Sequence, residues 1–252
     1  MSPSERLRQL RATPPEAQEG VVRSLASPIE LWPFGMPSSA SPHIVLLGVS
    51  PGNRPTAHDK GFKTDRQACK ELPTFGSEHS GFSYPDPGRY WQKASDLCRF
   101  MVQRDEPGLS RKDAIALSSH LNLGTGQHGQ AGAQAIEDDI LVWVSRLLYS
   151  KFEAKLLICF GLRGILAMER YTKLWNTDGG LPVDWTRPLS ERIFASRYKF
   201  RLWDTKRADG GRMGVLMWPN HPSRHPFSGG PESKMWVSAK QEAEKLLQEH
   251  GL

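Results

Sequence analysis

Cysteine is scarce in this chain of 252 residues. Cys69, Cys98 and Cys159 lie far apart, with no CxxC pair and no regularly spaced histidine partners. This pattern argues against a structural zinc site and against a disulfide framework. Three thiolates are also too few for an iron–sulfur cluster held by four cysteines. We therefore expect no metal and no cofactor.

Long apolar segments are absent as well. No run approaches the roughly 20 residues that span a bilayer, and the first residues lack the charged-then-apolar pattern of a signal peptide. We expect a soluble, monomeric, intracellular protein without a membrane partner. Its compartment would be the cytoplasm, or the nucleus in a eukaryote.

Acidic residues are outnumbered by basic ones. The chain has 33 Lys and Arg against 27 Asp and Glu, for a formal charge of +6 and a pI near 9.3. Such a balance favours polyanionic partners, of which nucleic acid is the commonest.

Apolar periodicity predicts alternating strands and helices. The predicted strands span 43–47, 114–123 and 155–160, and the predicted helices span 91–102, 134–149, 161–171 and 232–249. This order predicts an α/β fold, a three-layer α/β/α sandwich with a central, mostly parallel sheet. Residues 1–42 form an N-terminal helical extension and linker, and residues 43–252 form the α/β domain.

A later segment alternates strictly between basic and apolar side chains. Arg197, Lys199 and Arg201 share one face of this segment, and a turn at 208–211 leads to a second strand at 213–218, which predicts a hairpin. The basic face fits either a solvated sheet surface or a track for a phosphate backbone.

Two short polar motifs follow predicted strands. Gly48-Val-Ser50-Pro-Gly52, continued by Asn53, follows the first strand, and His221-Pro-Ser223 follows the last. Loops at the carboxyl ends of parallel strands converge on one crevice, where ligands bind. The pattern is not the GxSxG of a nucleophile elbow, so a serine hydrolase is a distant alternative.

A third motif, Tyr84-Pro-Asp86-Pro-Gly-Arg89-Tyr-Trp91, runs into the predicted helix at 91–102. Tyr84 supplies a flat stacking surface and Asp86 a carboxylate. The alternative interpretation makes Tyr84 a core aromatic residue and Asp86 a helix cap.

Together these motifs resemble the uracil-DNA glycosylase superfamily, in particular its mismatch-specific uracil/thymine branch. The similarity extends over roughly 43–230 and rests on five stretches: 48–52, 84–91, 120–124, 157–161 and 220–225. Within 120–124, Asn122 is similar to a strand-end asparagine that reads the base edge. Ser50 is a departure, because that branch carries Asn at this position and the most active branch carries Asp.

The resemblance implies a monofunctional DNA glycosylase that hydrolyses the glycosidic bond of a flipped-out, damaged or modified pyrimidine. The reaction requires a water-activating group beneath the sugar and a donor aimed at the departing base oxygen. Asp86, or water held by Ser50, would meet the first need, and a neutral His221 the second. Further base-binding residues would be Asn122, Tyr84, Phe82, Gly48, Gly52 and Asn53.

The residues after His221 would open the DNA stack. Arg224 and His225 occupy the place where the superfamily inserts a wedge, and Phe227 is a second candidate because apolar wedges are common. His225 equally fits an ordinary exposed loop histidine. The remaining expected DNA contacts are Ser223, Arg89, Arg197, Lys199 and Arg201.

A rival hypothesis is a catalytically weak or inactive nucleic-acid-binding module that retains the fold. Ser50 favours it, whereas the joint presence of Asp86, Asn122 and His221 favours an enzyme. The substrate base, uracil-like or a modified cytosine, stays open, as does a role in repair or in defence.

Overall fold

The computed structural model describes six main stretches of the chain. They are residues 43–48, 89–110, 117–122, 154–161, 185–206 and 210–252, together with the isolated Leu166. The predicted extension at 1–42 lies outside them, as do the predicted helix at 134–149 and, apart from Gly161 and Leu166, that at 161–171.

Six strands and two helices make up these stretches. The strands are β1 (Ile44–Gly48), β2 (Ser118–Asn122), β3 (Leu156–Phe160), β4 (Ser190–Phe194), β5 (Tyr198–Lys206) and β6 (Arg212–Trp218). The helices are α1 (Arg89–Asp105), between β1 and β2, and α2 (Lys234–Glu249), after β6.

All six strands form one sheet in the order β2-β1-β3-β6-β5-β4. The strands β2, β1, β3 and β6 run parallel to one another. On the β6 side, β5 pairs antiparallel with β6, and β4 pairs antiparallel with β5. The predicted α/β character and mostly parallel sheet are therefore confirmed. The hairpin is confirmed too, since β5 and β6 pair from Lys206↔Arg212 onward.

Strands β1 and β3 are central because their sequences are almost entirely apolar. Ile44–Leu47 and Leu156–Phe160 are buried on both faces, as expected of parallel strands covered from both sides. The sheet therefore has no polar face at its centre.

Helices α1 and α2 pack on one face of this sheet. In α1 the buried Ala94, Leu97, Cys98 and Met101 recur at the spacing of one helical stripe. They join Leu46, Ile158 and Trp218 of the strands in one core. Opposite side chains, such as Val45, Cys159 and Met217, are buried as well.

Strand β4 was not predicted from the sequence. It is the edge strand, and its five residues bury only Phe194. Arg192 instead reaches α2, where it pairs with Glu242 at 3.4 Å and also with Glu249. Because β4 buries one aromatic side chain and contacts α2 through the ion pairs of Arg192, its sequence lacks the apolar alternation from which a strand is predicted.

Candidate active site

The four parallel strands end at one edge of the sheet. Gly48 of β1 is level with Asn122 of β2, and Phe160 of β3 is level with Trp218 of β6. From β1 the chain passes to β2 on one side, and from β3 it passes to β4 at the far edge of the other side and returns through β5 to β6. The β1/β3 boundary is therefore a topological switch point, beside which open α/β sheets form a ligand crevice.

The loop after β6 is tightly held. The Arg224 N–H donates to the His221 carbonyl at 3.0 Å, and the Phe227 N–H donates to the Arg224 carbonyl at 2.7 Å. The Asn220 side-chain amide donates to the His225 carbonyl at 3.1 Å. These bonds close two successive turns and fix where the His221 side chain begins.

Phe227 anchors this loop in the core. It is 0% exposed and stacks on Phe194 at 6.2 Å, with Trp218 and Trp236 at 6.0 and 5.5 Å. The hypothesis that Phe227 is a DNA wedge is therefore wrong, because a fully buried ring cannot enter a base stack. Its apolar character serves packing instead.

The His221 ring lies over the end of β3. It stacks on Tyr90 of α1, with the ring centroids 5.0 Å apart and the planes 13° from parallel. Phe160 meets its edge at 6.3 Å and also meets Tyr90 at 6.1 Å. Despite these ring contacts the residue His221 is exposed to solvent, so an approaching ligand can reach it.

Two features keep His221 neutral. The Ser223 N–H donates to its Nδ1 at 3.2 Å, which makes Nδ1 an acceptor and leaves the ring proton on Nε2. Burial of the ring, followed by the nearby charges of Arg224 and Lys93, lowers the pKa of His221 to about 4. The result is a neutral imidazole with an N–H to donate.

Lys93 lies directly beneath this loop. It is 0% exposed, and its Nζ donates to the Pro222 carbonyl at 2.5 Å. The ammonium also lies 5.5 Å from the centroid of the Trp236 ring. The sequence alone did not single out Lys93, although it occupies the stripe of Leu97 and Met101 at four-residue steps, a position where a lysine is unusual.

A cationic and aromatic cluster flanks the loop. The Arg197 guanidinium donates to the Tyr198 hydroxyl at 2.8 Å and lies over its ring at 4.9 Å. The Tyr198 hydroxyl is 3.3 Å from His225 Nδ1. Arg197, Arg224 and His225 are all exposed, and no acidic partner of the two arginines occurs among the described residues.

The predicted basic strand face is only partly basic. Glu191 of β4 pairs with Arg201 at 2.7 Å and with Lys199 at 3.4 Å. Arg197 precedes the strand, in the turn between β4 and β5. Charge at this face is therefore largely compensated, apart from that turn.

The remaining predicted site residues divide into two groups. Asn122 and Gly48 end their strands at the shared edge, Arg89 begins α1, and Ser223 is exposed beside His221. Ser50, Gly52, Asn53, Phe82, Tyr84 and Asp86 lie outside the described residues.

Two kinds of feature are absent from the described ranges. Neither α1 nor α2 is long and apolar enough to cross a membrane. Nowhere in these ranges do three or more His, Cys, Asp or Glu side chains converge as metal ligands would.

The fold and the loop thus define a class: an α/β protein with a histidine-bearing loop at the carboxyl edge of its parallel strands. Comparison with known proteins adds no family to this class, because no protein-family model matches the chain and no curated protein matches its sequence.

Proposed function

We propose that this protein is a DNA glycosylase that hydrolyses the N-glycosidic bond of a modified pyrimidine and leaves an abasic site. The observation that carries the proposal is His221, a neutral imidazole held as an Nε2–H donor at the crevice. A departing pyrimidine anion develops charge on its carbonyl oxygen, and a donor already in place stabilises that charge most in the transition state.

Neutrality suits this role. An imidazolium would also attract the anion, but it would bind phosphates and water in the ground state too. Interactions that strengthen only as charge develops accelerate the chemical step. Tyr90 and Phe160 restrict the ring's rotation, so the donor needs little reorganisation when the base leaves.

The proposed base-binding residues belong to the same edge of the sheet. His221 lies over the end of β3, and Asn122 ends β2, two strands away. Two strand spacings amount to about 10 Å, a distance on the scale of one nucleotide. In this proposal Asn122 reads the base edge with a donor and an acceptor.

The sugar side of the reaction is assigned from the sequence. Asp86, or water held by Ser50, would stabilise the oxocarbenium-like sugar and activate the attacking water. Tyr84 or Phe82 would stack on the flipped base. A uracil-like base and a modified cytosine are both compatible substrates.

The proposed domain is a complete α/β/α sandwich of the uracil-DNA glycosylase type. Support comes from the burial of both sheet faces, only one of which α1 and α2 cover. The predicted helices at 134–149 and 161–171 would supply the opposite layer.

The decisive test measures abasic-site formation, by alkaline strand scission, on oligonucleotides that each carry one modified base. We expect release of at least one modified pyrimidine. His221→Asn keeps an acceptor for the Ser223 N–H but removes the distal donor, so base release should fall ~10²–10³-fold. DNA binding should change little.

Two matched variants sharpen this test. His221→Gln places an amide N–H near the position of Nε2 and should recover part of the rate. His225→Asn, four residues on, should retain base release from single strands. DNA binding without release of any base would assign the protein to the rival class, a binding module without catalysis.

A further inference from the structure

The buried lysine of α1 is the least expected feature of the site. Lysine is almost never fully buried unless its ammonium has strong partners, and desolvating an ammonium is costly. Lys93 nevertheless has no exposed surface. Its ammonium donates to the carbonyl of Pro222, the middle residue of the His221-Pro222-Ser223 loop, 129 positions away in the chain.

The contacts of Lys93 connect three elements. Its backbone belongs to α1, its ammonium faces the Trp236 ring of α2, and its hydrogen bond goes to Pro222 after β6. A charge-assisted hydrogen bond is roughly twice as strong as a neutral one. The loop is thus held at Pro222, which lies between His221 and Ser223, the residue whose N–H donates to His221 Nδ1.

A second buried lysine shows that this arrangement is not a general need of the core. Lys240 of α2 is 7% exposed, pairs with Asp96 and lies 5.1 Å from the Phe100 ring centroid. Both of these partners belong to α1, and neither belongs to the loop. Packing α1 against α2 therefore already has its own buried cation.

We propose that Lys93 is the positioning residue of the His221 loop. Its ammonium holds the Pro222 carbonyl from below and thereby sets the ring against Tyr90, with Nδ1 on the Ser223 N–H and Nε2–H directed away from the loop. Lys93 itself does not touch the substrate.

The charge of Lys93 acts in the same direction as its hydrogen bond. The Tyr90 ring of α1 and the Ser223 N–H of the loop contact His221, and the charges of Arg224 and Lys93 lie nearby. Neither cation can stabilise an imidazolium, so both add to the effect of burial, which is the largest cause of the lowered pKa of His221. Lys93 therefore contributes to the protonation state of the ring as well as to its position.

The test is an NMR titration of His221 in the free, full-length protein, with the tautomer read from its ring nitrogen shifts. In the wild type we expect an Nε2–H tautomer that titrates at about 4. Lys93→Met removes both the hydrogen bond and the charge, so the midpoint should rise toward its ordinary value, with mixed tautomers.

Two variants complete the design. Lys240→Met removes the other buried cation and should leave the His221 midpoint and tautomer unchanged. Lys93→Gln keeps a donor without a charge, so it should hold the tautomer while raising the midpoint, and it replaces Lys93→Met if that variant does not fold. Equal effects of the Lys93 and Lys240 variants on His221, or none from either, would overturn the assignment.

The consequence for catalysis rests on the proposed function, whereas the titration does not. If the protein releases bases, Lys93→Met should lower kcat more than it raises KM, since the donor is misplaced in the transition state. A protein that releases no base but shows the expected titration would retain Lys93 as the positioning residue while removing the glycosylase proposal.

Discussion

At the scale of single residues, His221 is exposed, and its environment disfavours protonation of the ring. The Ser223 N–H occupies Nδ1 at 3.2 Å, and two cations lie nearby. Protonation would break the hydrogen bond and add a third positive charge. The side chain is therefore a hydrogen-bond donor over the whole physiological pH range.

This environment makes the stability of the fold depend on pH. The pKa of His221 is about 4 when folded, against an ordinary 6.5, so between these values the unfolded chain binds more protons. We expect the free energy of unfolding to fall as the pH drops from 6.5 toward 4. Denaturant unfolding at several pH values measures it.

His221→Asn isolates this contribution from that of the carboxylates. The difference in unfolding free energy between wild type and variant should be constant above about pH 7 and shrink as the pH falls toward 4. A difference independent of pH would show that His221 titrates normally in the folded protein.

In the proposed reaction, Asp86 and Ser50 are the two candidates for activating water. A carboxylate is the stronger base, so Asp86→Asn should slow base release ~10²–10⁴-fold, and Ser50→Ala should cost less. Single-turnover rates on the best substrate of the oligonucleotide panel give both numbers. The reverse ranking would return the main role to Ser50.

At the scale of elements, the loop after β6 is a rigid connection between two anchors. Lys93 holds it at Pro222, and Phe227 holds it in the core. The segment between these anchors carries Arg224 and His225, both exposed. A wedge in this loop would therefore consist of polar side chains on a fixed backbone.

Phe227→Ala should destabilise the protein by about 3–5 kcal/mol, the usual cost of deleting a buried phenylalanine ring. Arg224→Ala should change stability little but reduce cleavage in duplex DNA more than in single strands, since a wedge matters only where a stack must be opened. Denaturant unfolding and paired cleavage assays measure the two effects. Near-native stability of Phe227→Ala would contradict the role of its ring as a core anchor.

At the scale of the whole molecule, the net charge is +6, but the basic side chains are not equally available to a polyanion. Glu191 pairs with Lys199 and Arg201, and Asp204 pairs with Arg212 at 2.8 Å. Arg197, which contacts Tyr198 next to His225, and Arg224, near His221, are the better candidates to meet a phosphate. In the proposed function, counterion release would therefore occur mainly at these two arginines rather than along β5.

DNA affinity should fall steeply with salt. Replacing Arg197 and Arg224 by Gln should reduce the slope of log affinity against log salt concentration by roughly one to two, since each phosphate contact contributes about 0.9. The matched pair Lys199→Gln and Arg201→Gln should change it less, because Glu191 already compensates them. Equal changes would extend the DNA contact along the strand.

The chain's own pattern determined much of this architecture. Continuous apolar runs at 44–47 and 156–160, and the helical stripe through Leu97 and Met101, predicted β1, β3 and α1 within a few residues. These elements can be predicted because burial selects apolar residues along the whole of a strand that is covered on both faces, and at helical spacing along one side of a helix. The position of the His221 motif could be predicted as well, since it directly follows an apolar strand.

Only the tertiary structure decided which partners those residues have. The sequence presents Phe227 as a candidate wedge and Lys199 and Arg201 as candidate phosphate contacts, and it assigns no role to Lys93. The structure instead places Phe227 in the core, pairs the two cations with Glu191, and buries Lys93 beneath Pro222. Each of these outcomes depends on contacts between different elements, and the periodicity within one element does not specify its partners in another.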